Sequence, residues 1–216
     1  MTINKELNDM IINLSLIDND QLKELEILKI LKILDSYELD DFYKYYLKGY
    51  LWYNMPFENT NRDKEVEHNL KESISKKPEY LFSKAYLAYY YYDNKYYKKV
   101  IDLLNFLDFS FFEERNQLWQ SLKLQELLAM SKLQLSESVS KDMSDDIVGL
   151  IYSYLHVPEE EVAVPRELVN VIIENKSKKG ILSIKTTTLL LINSKAYKDY
   201  FDNDVRLELT SSLREE

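Results

Sequence analysis

Cysteine is absent from the 216-residue chain, so disulfides and thiolate chemistry are excluded. Glycine occurs 3 times and proline 4 times. Turn formers this scarce point to long helices with short links and argue against a β-sandwich or barrel. A Gly-rich phosphate loop and a nucleophile elbow are likewise missing, since both need glycines at fixed spacings. With His68 and His156 as the only histidines and no cysteine, no cluster has metal-ligand spacing. Asp202-Asn203-Asp204 resembles the start of a calcium loop but lacks the glycine and distant glutamate that complete one. No metal or cofactor is expected. The longest apolar run is Leu189-Leu190-Leu191-Ile192, too short to span a bilayer. Met1 to Glu6 lacks the basic-then-apolar pattern of a signal peptide, so a cytoplasmic protein is expected, with no membrane partner.

The net charge is −9, and it is uneven. Residues 1–41 hold four lysines against ten acids, whereas residues 62–99 carry nine basic against six acidic residues. Acidity overall disfavours nucleic acid as a partner, because coating phosphates requires a basic face. An acidic end suits either solubility or a basic protein partner, such as a toxin to be neutralised by charge complementarity.

Apolar residues at helical spacing run through most of the chain. Ile3, Leu7, Ile11 and Leu14 form one set, and Leu22, Leu25, Leu28 and Leu31 with Ile27, Ile30 and Leu34 cover a broad side of the next. Asp18-Asn19-Asp20 and Asp40-Asp41 supply helix starts. Pro78 stops the helix that begins near Asp63. Helices are expected over 41–54, 63–76, 79–92, 96–107, 113–135 and 147–155, with 136–144 as a polar link. Beyond Val157, Pro165 can open a helix to Asn175. Residues 181–192 read either as helix or, paired with 168–174 and joined by 205–210, as a small β element.

Two stretches echo each other. Val66-x3-Leu70 and Val100-x3-Leu104 are offset by 34 residues, with Pro78 and Phe112 each twelve residues beyond the valine. Before them, Lys48-Gly49-x2-Trp52 and Leu87-Ala88-x2-Tyr91 fill equivalent slots, the first followed by a turn five residues longer. Over about residues 42–112 the chain resembles tetratricopeptide-repeat proteins. It departs from them where valine replaces the small alanine at Val66 and Val100, and Trp119-x2-Leu122 hints at a third copy whose next slots hold Lys123 and Glu126. The resemblance implies an all-α fold of antiparallel helix pairs, a right-handed solenoid or repeat bundle over residues 42–155. N-terminal helices (1–41) and an extra C-terminal segment (156–216) flank it.

The same resemblance implies a groove lined by Tyr43, Tyr46, Tyr50 and Tyr53 from one first helix and by Phe82, Ala85, Tyr89 and Tyr92 from the next. Tyr43, Tyr46, Tyr50 and Tyr53 recur at +3, +4 and +3, so they share one helix face. Tyrosine suits recognition because it offers large area, a polar tip and few rotors. The same stripe equally suits a core. The expected function is a protein–protein interaction module, an adaptor, regulator or inhibitor binding a protein or peptide. The competing expectation rests on Arg62 and His68, whose spacing resembles the Arg-x(4–6)-His motif of the all-helical HEPN ribonucleases. Asp63 beside Arg62 equally serves as a helix cap.

Overall fold

The structure, a computed structural model, describes residues 5–56, 59–136, 141–155 and the single position Leu168. The expectations for residues 156–216, including His156, Asp202-Asn203-Asp204 and the choice between helix and hairpin, lie outside them. Among the described residues there are helices and turns and no strand. In chain order the α-helices are α1 (Lys5–Asn13), α2 (Asp20–Leu34), α3 (Asp41–Tyr53), α4 (Arg62–Lys76), α5 (Leu81–Asp93), α6 (Tyr97–Leu104), α7 (Ser110–Glu113), α8 (Leu118–Gln134) and α9 (Lys141–Leu155). The chain divides into two compact units, residues 1–96 and 97–216.

In the first unit, Asn19 caps α2 by accepting the Leu22 N–H at 2.9 Å, as the Asp-Asn-Asp stretch predicts. α2 buries Ile27, Ile30 and Leu34, whereas Leu22 and Leu25, expected on the same broad side, are exposed. A helix apolar on more than one side leaves its neighbours to decide which side is covered. Here Leu7, Leu14, Ile27, Ile30 and Leu34 share one core with Tyr43, Leu47, Leu51 and Met55. α1 and α2 therefore pack on α3.

α3 and α4 run antiparallel. Arg62 at the start of α4 reaches the Tyr53 carbonyl at the end of α3 (2.9 Å). Mid-helix, Gly49 faces Leu70. Ser73 near the end of α4 donates to the Phe42 carbonyl at the start of α3 (2.7 Å). α5 returns antiparallel to α4, as the Ser73–Ser83 hydroxyl contact at 2.7 Å and the Tyr91–Glu67 hydrogen bond at 2.8 Å show. Since Ser73 already donates to Phe42, Ser83 donates to Ser73, and one buried hydroxyl pair joins three helices. α3 and α5 consequently lie side by side and parallel.

Gly49 explains the closeness of α3 and α4. A Cβ built there would lie 2.6 Å from the Leu70 Cδ2 and Cγ and 3.2 Å from the Leu70 backbone nitrogen. Alanine is ordinarily preferred to glycine in a helix by about 1 kcal/mol. Here the clash with a fully buried leucine outweighs that gain. Gly49→Ala is expected to destabilise by about 1–3 kcal/mol, the usual cost of overpacking. Denaturant unfolding checks this, and a neutral or stabilising result would contradict so close an approach.

α5 ends in a Schellman turn: the Tyr96 N–H bonds the Tyr91 carbonyl at 2.8 Å and the Lys95 N–H bonds the Tyr92 carbonyl at 2.9 Å. Lys95 takes φ 60°, where glycine is usual, and the Tyr91 and Tyr96 rings, 6.3 Å apart, supply the apolar clasp. The boundary between the units follows at once. It falls inside the second helix pair expected from the sequence, so α5 and α6 belong to different units.

In the second unit, Val100 and Leu104 of α6 are buried, as their repeat slots predict. The helix expected over 113–135 is instead α7 and α8, separated by a second Schellman turn at Asn116 (φ 56°). Asparagine tolerates this left-handed geometry better than most residues, which permits the break. α9 begins at Lys141, earlier than expected from the polar stretch 136–144. α8 and α9 are antiparallel: Tyr154 donates to Glu126 at 2.8 Å, and Lys132 lies 3.9 Å from Asp146. Glu126, at a slot where the repeat pattern calls for an apolar or small residue, is buried and also accepts from Lys123 at 2.7 Å.

Candidate functional site

The parallel arrangement of α3 and α5 brings their aromatic faces together in one continuous row of rings. Tyr50 and Tyr86 meet edge to face at 5.0 Å, Tyr46 and Tyr86 at 6.0 Å, and Tyr53 and Tyr86 at 5.7 Å. Tyr86 and Tyr89 are 5.6 Å apart, and Tyr53 and Tyr89 6.4 Å. At the other end Tyr80 touches Tyr46 (5.1 Å), Tyr43 (6.0 Å), Phe42 (5.2 Å) and Phe82 (5.4 Å). Edge-to-face pairs set the positive ring edge against the negative ring face, adding about 0.5–1.5 kcal/mol each beyond burial.

Of the residues expected to line the site, Tyr46, Tyr50, Tyr53, Phe82, Tyr89 and Tyr92 are half-buried. Tyr43 is buried at 8% exposure, and Ala85 is fully buried. The ring at the centre of the row is Tyr86, which the repeat slots passed over in favour of Ala85. Helical spacing alone contained the signal, because Tyr86 sits at +4 from Phe82 and −3 from Tyr89. Tyr80, inside the helix expected over 79–92, instead precedes α5, which starts at Leu81.

Burial keeps the phenols protonated. Desolvation raises Tyr43 to about 12. It also raises Tyr46, Tyr50, Tyr53, Tyr80 and Tyr86 above the ordinary 10.0, with neighbouring phenolates adding to the effect at Tyr46, Tyr80 and Tyr86. For Tyr53 the Asp93 carboxylate contributes after desolvation, since the Tyr53 hydroxyl donates to Asp93 Oδ2 at 2.8 Å. At neutral pH the row is therefore uncharged along its length and ends in one exposed carboxylate.

Arg62 and His68 have different fates. Arg62 is 3% exposed, and its guanidinium donates to the Met55 carbonyl (3.0 Å), the Tyr53 carbonyl (2.9 Å) and Asp63 (3.2 Å) while lying 5.6 Å from the Tyr53 ring. His68 is exposed, 6.5 Å from Tyr45. Arg62 thus has a packing role at the end of α3. Among the described residues no three His, Asp or Glu side chains group as metal ligands, and no helix is long and apolar enough to cross a membrane.

The chain matches no protein-family model, no curated protein and no solved structure.

Proposed function

We propose that this chain is a helical-repeat interaction module of the tetratricopeptide kind, an adaptor, regulator or inhibitor acting in the cytoplasm. It takes a protein or peptide partner on the aromatic row of α3 and α5, and binding rather than catalysis is its activity. Successive helix pairs stack in this reading as a right-handed solenoid. The observation that carries it is that the row is aromatic along its length and not fully covered: Tyr46, Tyr50, Tyr53 and Tyr89 each keep part of their surface in solvent, although the Tyr89 hydroxyl itself is buried. Tyrosines that are rigid, contiguous and part-exposed are the residues that dominate binding energy at interfaces.

Co-purification from the native cell supplies the partner, and two substitutions test the surface. Tyr50→Ala and Tyr89→Ala are each expected to weaken that partner's binding by about 1 kcal/mol or more while lowering stability less. Should each variant instead lose roughly 3 kcal/mol of stability and bind unchanged once folded, the row is core and the reading fails.

A further inference from the structure

The ring row has a direction. α3 and α5 are parallel, so their C-terminal ends, the negative ends of their dipoles, lie at the same end of the row. Tyr53 is the last residue of α3, Asp93 is the last of α5, and the two are joined by the 2.8 Å hydrogen bond. A carboxylate at a helix C-terminus is electrostatically unfavourable by itself, and a cation placed there relieves it. No ion pair among the described residues involves Asp93, whose side chain is exposed. Arg62, beside the Tyr53 ring, is engaged on the carbonyls of Tyr53 and Met55, and Lys95, two residues beyond Asp93, is exposed in the turn after α5. No lysine or arginine occupies a row position on either helix.

We infer that the row receives a short extended segment bearing an arginine or lysine, whose cation sits at the Asp93 end against Tyr53 and Tyr89 and whose apolar residues lie along Tyr50, Tyr86 and Tyr46. This rests on the docking reading above and adds the partner's chemistry and polarity. Neutral phenol rings present electron-rich faces that attract cations, and a carboxylate beside them fixes where the cation stops. Arg62 against Tyr53 is an internal instance of the same contact. At 1.5 Å rise per residue, Tyr46 to Tyr53 spans about 10 Å. An extended chain of about three to four residues covers that length. A proline-rich segment is the competing occupant, because aromatic faces also take proline, but it makes no use of Asp93.

A random heptapeptide library displayed on phage, panned on the full chain, tests this. Recovered peptides are synthesised and titrated against the unaltered protein, Tyr50→Ala, Tyr89→Ala and Asp93→Asn. Asparagine retains an acceptor for Tyr53, and an unchanged unfolding midpoint confirms that this variant folds. Expected are peptides that the tyrosine variants weaken, that carry arginine or lysine, and that lose about five-fold or more in affinity with Asp93→Asn. Replacing the peptide's arginine by uncharged citrulline, which leaves the protein untouched, should give a similar loss. Peptides that depend on the tyrosines but carry no cation and ignore Asp93→Asn would overturn the inference and leave the docking surface standing. If no recovered peptide depends on Tyr50 or Tyr89, the docking reading falls and the inference with it.

Discussion

Alkali is expected to unfold the N-terminal unit between about pH 10 and 12, sharply, with ring ionisation and loss of helix occurring together. Eight phenols of this unit have raised pKa values: Tyr43, Tyr46, Tyr50, Tyr53, Tyr80, Tyr86, Tyr90 and Tyr91. Desolvation comes first at each. At Tyr91 the bond to Glu67 adds to it, and at Tyr90, raised to about 12, the charges of Asp63 and Glu67 do so. A phenol held protonated by the fold binds its proton more tightly there than in the unfolded chain. Its contribution is complete below pH 10.0, the ordinary phenol value, and is lost as the pH rises through the folded value. Each such phenol costs about 1.4 kcal/mol per pH unit above that point. Halved for partial exposure, Tyr43, Tyr53, Tyr80, Tyr86, Tyr90 and Tyr91 together cost about 4 kcal/mol near pH 11, comparable with the stability of many domains. Phenolate absorbance and helical circular dichroism should therefore change in one transition. A gradual, non-cooperative titration centred on the ordinary value, with helix retained, would show that the rings are well hydrated.

Arg62→Ala is expected to cost about 3–5 kcal/mol, more than any other single substitution of a charged residue in the first unit. The guanidinium satisfies the Met55 and Tyr53 carbonyls, both at the exit of α3 where helix carbonyls lack partners. Removing it strands them, at about 1–3 kcal/mol each. It also removes the stem and planar head that pack against Tyr53. Arg62→Lys, with a point charge in place of the fork, should recover only part of the loss. Urea unfolding of the two variants measures this. A loss below about 1 kcal/mol for the alanine variant would mean that the guanidinium is not the clasp between α3 and α4, and would reopen its use in chemistry.

Much of the local structure was legible in the residues alone. The Asp-Asn-Asp cap, the stop before Pro78 and the break left between the helices expected over 79–92 and 96–107 act within a few residues, where backbone sterics and capping decide the outcome. The glycine slot at Gly49 and the buried slots at Val66, Leu70, Val100 and Leu104 were legible too, because close helix contact tolerates few residue types. Arg62 was not. A charged side chain reads as surface until its burial is matched by carbonyls that only the folded pair brings within reach. Nor was the break at Asn116, where an otherwise helical pattern continues through the left-handed residue.

Taken by itself, the sequence determined that the described residues are helical and that Tyr43, Tyr46, Tyr50 and Tyr53 share one face of α3, because 3.6-residue periodicity assigns side chains to faces without reference to any neighbour. Which face meets what was decided by tertiary structure. α2 covers one of its apolar sides and leaves Leu22 and Leu25 exposed. α5 lies parallel to α3, so that Tyr86 rather than Ala85 becomes the centre of the ring row and Asp93 closes its end. The chain also divides after Tyr96, inside a repeat that spacing alone treats as one pair. Periodicity fixes angles around one helix axis. The partner of each face depends on crossing and direction between helices, which are set by contacts far apart in the chain.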